Sequence, residues 1–156
     1  MPISAYLKAL RQSIGTELVL MPGVAALIRD DEGRLLLIRR SDNGRLSFPA
    51  GAIDPGETAA RAVRREVFEE TGLDVEPVAL AGVLGPRRSV YENGDQVEYT
   101  VAVFRCRVRG GTLCAVDGEA AGFAWMHPEE LGELLYPAAL LTWETGDPPY
   151  FSPPAS

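Results

Sequence analysis

An α/β fold with a mixed β-sheet held between helices is what this sequence predicts, and three observations carry the prediction. Apolar runs of strand length stand on both sides of one helical segment over about 58–71. Two of those runs, in "ELVLMPGVAALIRD" and "RLLLIRR", are apolar almost throughout, which suits strands covered on both faces by other layers. The succession of strands, a helix, more strands and a helix is that of a sheet between helical layers.

Taken in order, "SAYLKALRQSI" over 4–14 places Tyr6, Leu7, Leu10 and Ile14 at helical spacing, with Ser4 as N-cap and Gly15 as stop. This N-terminal helical extension reads as a docking or dimer element, so a homodimer is allowed. The two apolar strands follow, on either side of the turn "DDEG". After the loop "SDNGRLSFPAG" comes the helix from about Thr58 to Thr71, closed by Gly72. "EPVALAGVLG" is a further strand region. A hairpin around Asn93-Gly94 follows, with Val97, Tyr99, Val101 and Val103 alternating onto one face. A second hairpin, around Gly110-Gly111, leads to "GFAWM". Pro128 opens a short helix, "PEELGELL", which Pro137 closes, and a Pro-rich tail occupies about 146–156.

Composition narrows the function. With 156 residues, 46% apolar and 24% charged, the chain is expected to fold as one domain over 1–156 with a real core. A net charge of −7 speaks against a nucleic-acid duplex as partner, which calls for a basic surface. It leaves small phosphate ligands open, because a bound metal inverts the local field. The apolar runs fall short of a membrane span and the N-terminus lacks a signal-peptide core, so no membrane partner is expected. If Gly110-Gly111 is a turn, Arg107 faces Cys114 and Cys106 points to the other side. The two cysteines are then unpaired thiols of a cytoplasmic protein.

The chemistry lies in the central helix. Glu66, Glu69 and Glu70 are related by i, i+3 and i, i+4, so their carboxylates share a face. In water this costs about 0.2–0.5 kcal/mol per pair and signifies little. In a cleft, charges about 6 Å apart at an effective dielectric near 20 repel by roughly 3 kcal/mol per pair. Such a cluster then needs protons or a divalent cation, and all-oxygen ligands favour Mg²⁺ or Mn²⁺.

The flanking residues weigh against a merely solvated face. From Gly51 to Leu73 the chain reads Gly-x5-Glu-x7-Arg-Glu-Val-x-Glu-Glu-x-Gly-Leu. This resembles the Nudix box at every position; at background frequencies near 7% a chance match is of order one in 10⁸. "SFPAG" is similar to the family's entry segment, with Ala50 where the first of two glycines usually stands. "DGEAAGFAWM" is similar to a MutT-type segment that supplies a further metal ligand, here Glu119. The resemblance covers roughly 20–135 and implies a Nudix-type α/β/α sandwich that hydrolyses a nucleoside diphosphate linked to another moiety, with Mg²⁺ and Mn²⁺ as substitute.

By that resemblance Glu69, Glu70, the Gly51 carbonyl and Glu119 are metal ligands, and Glu66 is a further ligand or the general base. Glu57 and Arg65 complete the catalytic set, Arg65 holding the carboxylates by charge-assisted hydrogen bonds. Arg39, Arg40, Arg87 and Arg88 are candidates to grip phosphates; Arg39 and Arg40 end a strand and point to opposite faces, so at most one reaches the site. Glu98 competes with Glu119, and strand alternation favours Glu119. Trp125 and Trp143 read as packing residues, and His127 as the residue before a helix. Tyr91 stands where members acting on dinucleoside polyphosphates carry a Tyr. Pro86 falls short of the Pro of ADP-ribose hydrolases, and "LLYPAALL" lacks the base-reading Asn of oxidised-dGTP hydrolases. The alternative is a non-catalytic Nudix-fold nucleotide-binding or regulatory module, which the intact box disfavours. An isomerase or an RNA 5′-end hydrolase fits less well.

Overall fold

Alternation along the first long strand explains the layering. In a computed structural model, which describes residues 4–132 and 136–152, strand β1 (Val19–Ile28) is buried on both faces from Gly23 onward. Val24, Ala26 and Ile28 pack with Ala62, Val63 and Val67 of helix α2 (Ala59–Thr71). Ala25 and Leu27 face the opposite layer, with Leu140, Leu141 and Trp143 around helix α4 (Ala138–Leu141). The period of two thus sends neighbouring residues into two cores.

The main sheet has five strands in the order β4-β1-β6-β5-β8 and is mixed. Strand β4 (Ala50–Ala52) runs antiparallel to β1, and β6 (Gln96–Gly111) runs parallel to it. Strand β5 (Leu73–Val90) pairs antiparallel with β6 through several bulges, and β8 (Tyr150–Phe151) lies on its far edge. A second, antiparallel sheet joins β3 (Leu46–Ser47), β2 (Leu35–Arg40) and β7 (Ala120–Met126). The turn after β1 therefore carries the chain from one sheet into the other. This is the α/β fold with a mixed sheet that the patterning predicts. Among the described residues no helix is long and apolar enough to cross a membrane.

Helix α1 (Ala5–Ile14) is capped by Ser4 and ended by Gly15, and its Leu7, Leu10 and Ile14 cover Val19, Met21 and Val97. Three residues of the apolar stripe expected to dock are thus used within the chain, and Tyr6 stays exposed. Arg11 fastens it, donating to the Gln96 carbonyl at 2.8 Å and pairing with Asp95 at 3.5 Å.

Two sequence expectations fail. Gly110-Gly111 is not a hairpin turn: β6 runs through both residues, which pair with Asp74 and Leu73. At Gly111 (φ 88°) a β-carbon would lie 2.3 Å from the Gly72 carbonyl oxygen, so the glycine answers a close backbone approach. The inferred facing of Arg107 and Cys114 falls with that turn; Cys106 is buried and Cys114 exposed. The helix after His127, α3 (Pro128–Leu131), stops at Gly132 (φ 60°), and Pro137 caps α4 where it was expected to close α3. The end of "PEELGELL" and the last residues of the Pro-rich tail lie outside the described residues.

Candidate active site

Thr58 starts α2 by accepting the Arg61 amide at 3.2 Å, and Gly72 ends it in the left-handed conformation. These caps fix which face meets β4. Pairing of Gly23–Ala25 with Ala50–Ala52 holds β4 beneath the helix. A β-carbon on Gly51 would stand 2.0 Å from Glu66 Cδ, so only glycine lets that carboxylate reach the strand.

Burial separates the three helical carboxylates. Glu66 and Glu70 are only 3% and 5% exposed, whereas the Glu69 side chain is 45% exposed. A solvated face is thereby excluded for Glu66 and Glu70. Glu70 Oε2 accepts the Ala50 amide at 2.9 Å. One guanidinium serves the others: Arg65 Nε and Nη2 donate to Glu57 Oε1 and Oε2 at 3.0 and 2.9 Å, a two-pronged pair. Arg65 Nη1 donates to Glu66 Oε1 at 2.7 Å and Glu69 Oε2 at 3.3 Å, and Nη2 to the Ala52 carbonyl at 3.0 Å.

The electrostatics follow from this shortage of positive charge in a dry place. Burial pushes the Glu66 carboxyl up to about 7, against the pull of Arg65. Burial pushes Glu70 up to about 8, opposed by the Ala50 amide and helped by the neighbouring charges of Glu66, Asp117 and Glu119. The Arg65 hydrogen bonds hold Glu57 below the usual carboxylate range.

Glu119 arrives from the loop before β7. Asp117 N–H donates to the Glu69 carbonyl at 3.1 Å, and Glu119 N–H to Asp117 Oδ1 at 2.9 Å. The loop is thus tied to the last turn of α2 and brings Glu119 to a cavity of about 90 Å³ shared with Glu70, Arg40, Asp42, Ser41 and Ile38. Arg40 is held there by Asp42, with bonds of 2.9 and 2.6 Å, and feels both Glu70 and Glu119. Arg39 turns away to the Gly44 carbonyl at 3.0 Å. A larger open depression of about 580 Å³ flanks Arg61, Arg64 and Phe68 on α2 and holds none of the box carboxylates.

The remaining candidates lie apart from the carboxylates. Arg87 sits 5.4 Å over the ring of Tyr136, which stacks on Phe48, and Arg88 donates to Gln96. Tyr91 Oη is 2.9 Å from Tyr99 Oη. Glu98 lies beside Leu20 and Arg88 on the strand face opposite Tyr99. Trp143 is buried in the core, Trp125 packs against the other cluster, and His127 caps α3. Sequence reasoning missed Asp42, Asp117 and Tyr99. Tyr99 read as one more member of an alternating core face; burial, then the Tyr91 hydrogen bond, raises its pKa, and Arg40 and Glu66 act on it. Its phenol, unlike its valine neighbours, was the available signal.

Known proteins resemble this chain in sequence and in fold. The NUDIX domain model matches residues 19–147. A "MutT-like protein" of Streptomyces ambofaciens is 38% identical over 110 residues, 70% of this chain and 66% of that protein. A "putative 8-oxo-dGTP diphosphatase" of Bacillus subtilis is 30% identical over 115 residues, 74% of this chain and 72% of that one. The crystal structure of a MutT protein from Methanosarcina mazei superposes with a TM-score of 0.60 at 31% identity, covering 80% of this chain and 90% of the other.

Proposed function

This chain belongs to the NUDIX domain family and is a Nudix hydrolase, and we propose that it cleaves, with Mg²⁺, the diphosphate of a nucleoside diphosphate linked to another moiety. The observation that supports this most directly is the burial of Glu66 against Gly51 and of Glu70 against the Ala50 amide, with Arg65 bonded to Glu57, Glu66 and Glu69.

Among the described residues no three His, Cys, Asp or Glu side chains are already gathered to hold a metal ion. Arg65 and the Ala50 amide hold the carboxylates instead. The donor chemistry nonetheless fits a hard divalent cation: two carboxyls are buried with raised pKa values, and every donor is oxygen. We assign Glu66, Glu69, Glu70, Glu119 and the Gly51 carbonyl to holding Mg²⁺, with Mn²⁺ as substitute. When bound, the cation supplies positive charge that neutralises diphosphate oxygens as the P–O bond breaks.

The chain's own groups do the rest. Glu66 is either a further ligand of the cation or the base that takes a proton from the attacking water. Arg65 fixes the orientation of Glu66, and Glu57 fixes Arg65. Arg40 is assigned to the phosphates beside Glu70, and Tyr91, Arg87 and Arg88 on the hairpin strands are assigned to the second moiety. Arg39 serves that role least, given its bond to Gly44. The reading carries a cytoplasmic setting, which rests on the sequence alone.

The test is phosphate detection coupled through pyrophosphatase or phosphatase, with Mg²⁺ and a panel of dNTPs, oxidised dGTP, ADP-ribose, nucleotide sugars and diadenosine polyphosphates, run beside Glu70→Gln. Turnover of one class that the variant loses supports both reaction and site. Turnover untouched by Glu70→Gln would remove these carboxylates from the chemistry.

A further inference from the structure

Away from the carboxylates, where β1 ends, two arginines face one layer. Arg105 of β6 is the register partner of Leu27, and Arg29 is the next residue on that face of the chain. Arg29 Nη2 donates to the carbonyls of Leu141 at 2.7 Å and Trp143 at 3.4 Å, which places this pair beside the segment after α4. Arg29 Nε and Arg105 Nη1 are both buried without a hydrogen-bond partner among the described residues. The acid at this place is Glu144, paired with Arg29 Nη1 at 2.5 Å while its side chain remains 62% exposed. Burial, then the charge of Arg29, lowers the Arg105 pKa, and Glu144 opposes this.

Of these two half-buried guanidiniums only Arg29 is paired with the exposed Glu144 carboxylate, and each keeps an unused donor. Native proteins satisfy buried donors of this kind with an ordered water or an ion. A water would accept a hydrogen bond and leave the like charges unopposed. A doubly charged tetrahedral oxyanion accepts from Arg105 and from the Arg29 Nη1 that Glu144 vacates, and neutralises both charges together. We infer that Arg29 and Arg105 form a binding site for a small oxyanion of the phosphate class, which enters by displacing Glu144 from Arg29. The site is separate from the hydrolase carboxylates and needs no divalent cation. Glu144 is a competitor for it and does not belong to it.

The test is calorimetric titration of the full chain with inorganic phosphate at constant ionic strength, without added divalent cation. Saturable binding is expected. Arg105→Gln weakens it by roughly tenfold or more while nucleotide hydrolysis continues. Glu144→Gln strengthens it several-fold, a gain that a purely structural ion pair would not produce. Acetate, with one charge and two oxygens, binds more weakly than phosphate. If Arg105→Gln fails to fold by circular dichroism, Arg105→Lys, which keeps the charge and lacks the fork, shows the weakening. Absence of saturable binding, equal affinity in the Arg105 variants, or loss of binding in Glu70→Gln with Arg105 variants unaffected would overturn the inference.

Discussion

A single hydrogen atom in place of a side chain at Gly51 decides where Glu66 can be. Because a β-carbon there would lie 2.0 Å from Glu66 Cδ, Gly51→Ala is expected to push the carboxylate off the strand. The far end of a flexible side chain yields to such a clash at little cost in stability, whereas a misplacement near 1 Å costs about 10²-fold in rate. Urea titration and steady-state turnover read the two effects; wild-type turnover in the variant would contradict the placement. Arg65→Lys keeps the charge but loses the two-pronged bond to Glu57 and the reach to Glu66. Turnover is expected to fall by roughly 10–100-fold with the fold intact by circular dichroism. Resemblance to the Nudix box singled these residues out in the sequence. Asp42 and Tyr99 escaped it because they reach the site through a turn and through strand pairing, and no local pattern records either.

At the scale of elements, α2 depends on its two ends. Thr58→Ala removes the acceptor for the Arg61 amide and should cost about 1 kcal/mol. Gly72→Ala should cost more: φ is 71°, and the added β-carbon would meet the Thr112 carbonyl oxygen and Cys114 Sγ, each at 2.6 Å. Chemical denaturation of both variants checks the order, and a milder effect at Gly72 would count against it. Both ends of this helix were legible because caps are local chemistry. The Gly110-Gly111 error has the same root: a local rule assigned a turn, while Gly111 serves a close approach to Gly72 from a distant part of the chain. Gly132 was a local signal too, and it ended α3 before Pro137 could.

For the whole molecule, the buried carboxyls predict how stability varies with pH when no divalent cation is present. Glu66 and Glu70 are raised to about 7 and about 8 from an ordinary 4.5. Their contribution is therefore complete below pH 4.5 and is lost as pH rises through 7 to 8. Each carboxyl accounts for up to about 1.4 kcal/mol per pH unit within that window. Glu57, held low by Arg65, acts oppositely, and its contribution fades as pH falls below the carboxylate range. Thermal unfolding should show a lower Tm at about pH 8.5 than at about pH 6 without cation, and Mg²⁺ should remove the difference. A flat profile without cation would mean that these carboxyls are not buried as described. By itself the sequence determined the α/β class, the extent of α2, and the family, since periodicity, capping and motif spacing are written in neighbouring residues. Tertiary structure alone decided that the strands divide into two sheets and that Glu119 meets Glu70 across a small cavity. It alone decided that Glu66 and Glu70, but not Glu69, lose their water. Burial and long-range pairing depend on which distant segments arrive together, and residue spacing along a chain does not encode that arrival.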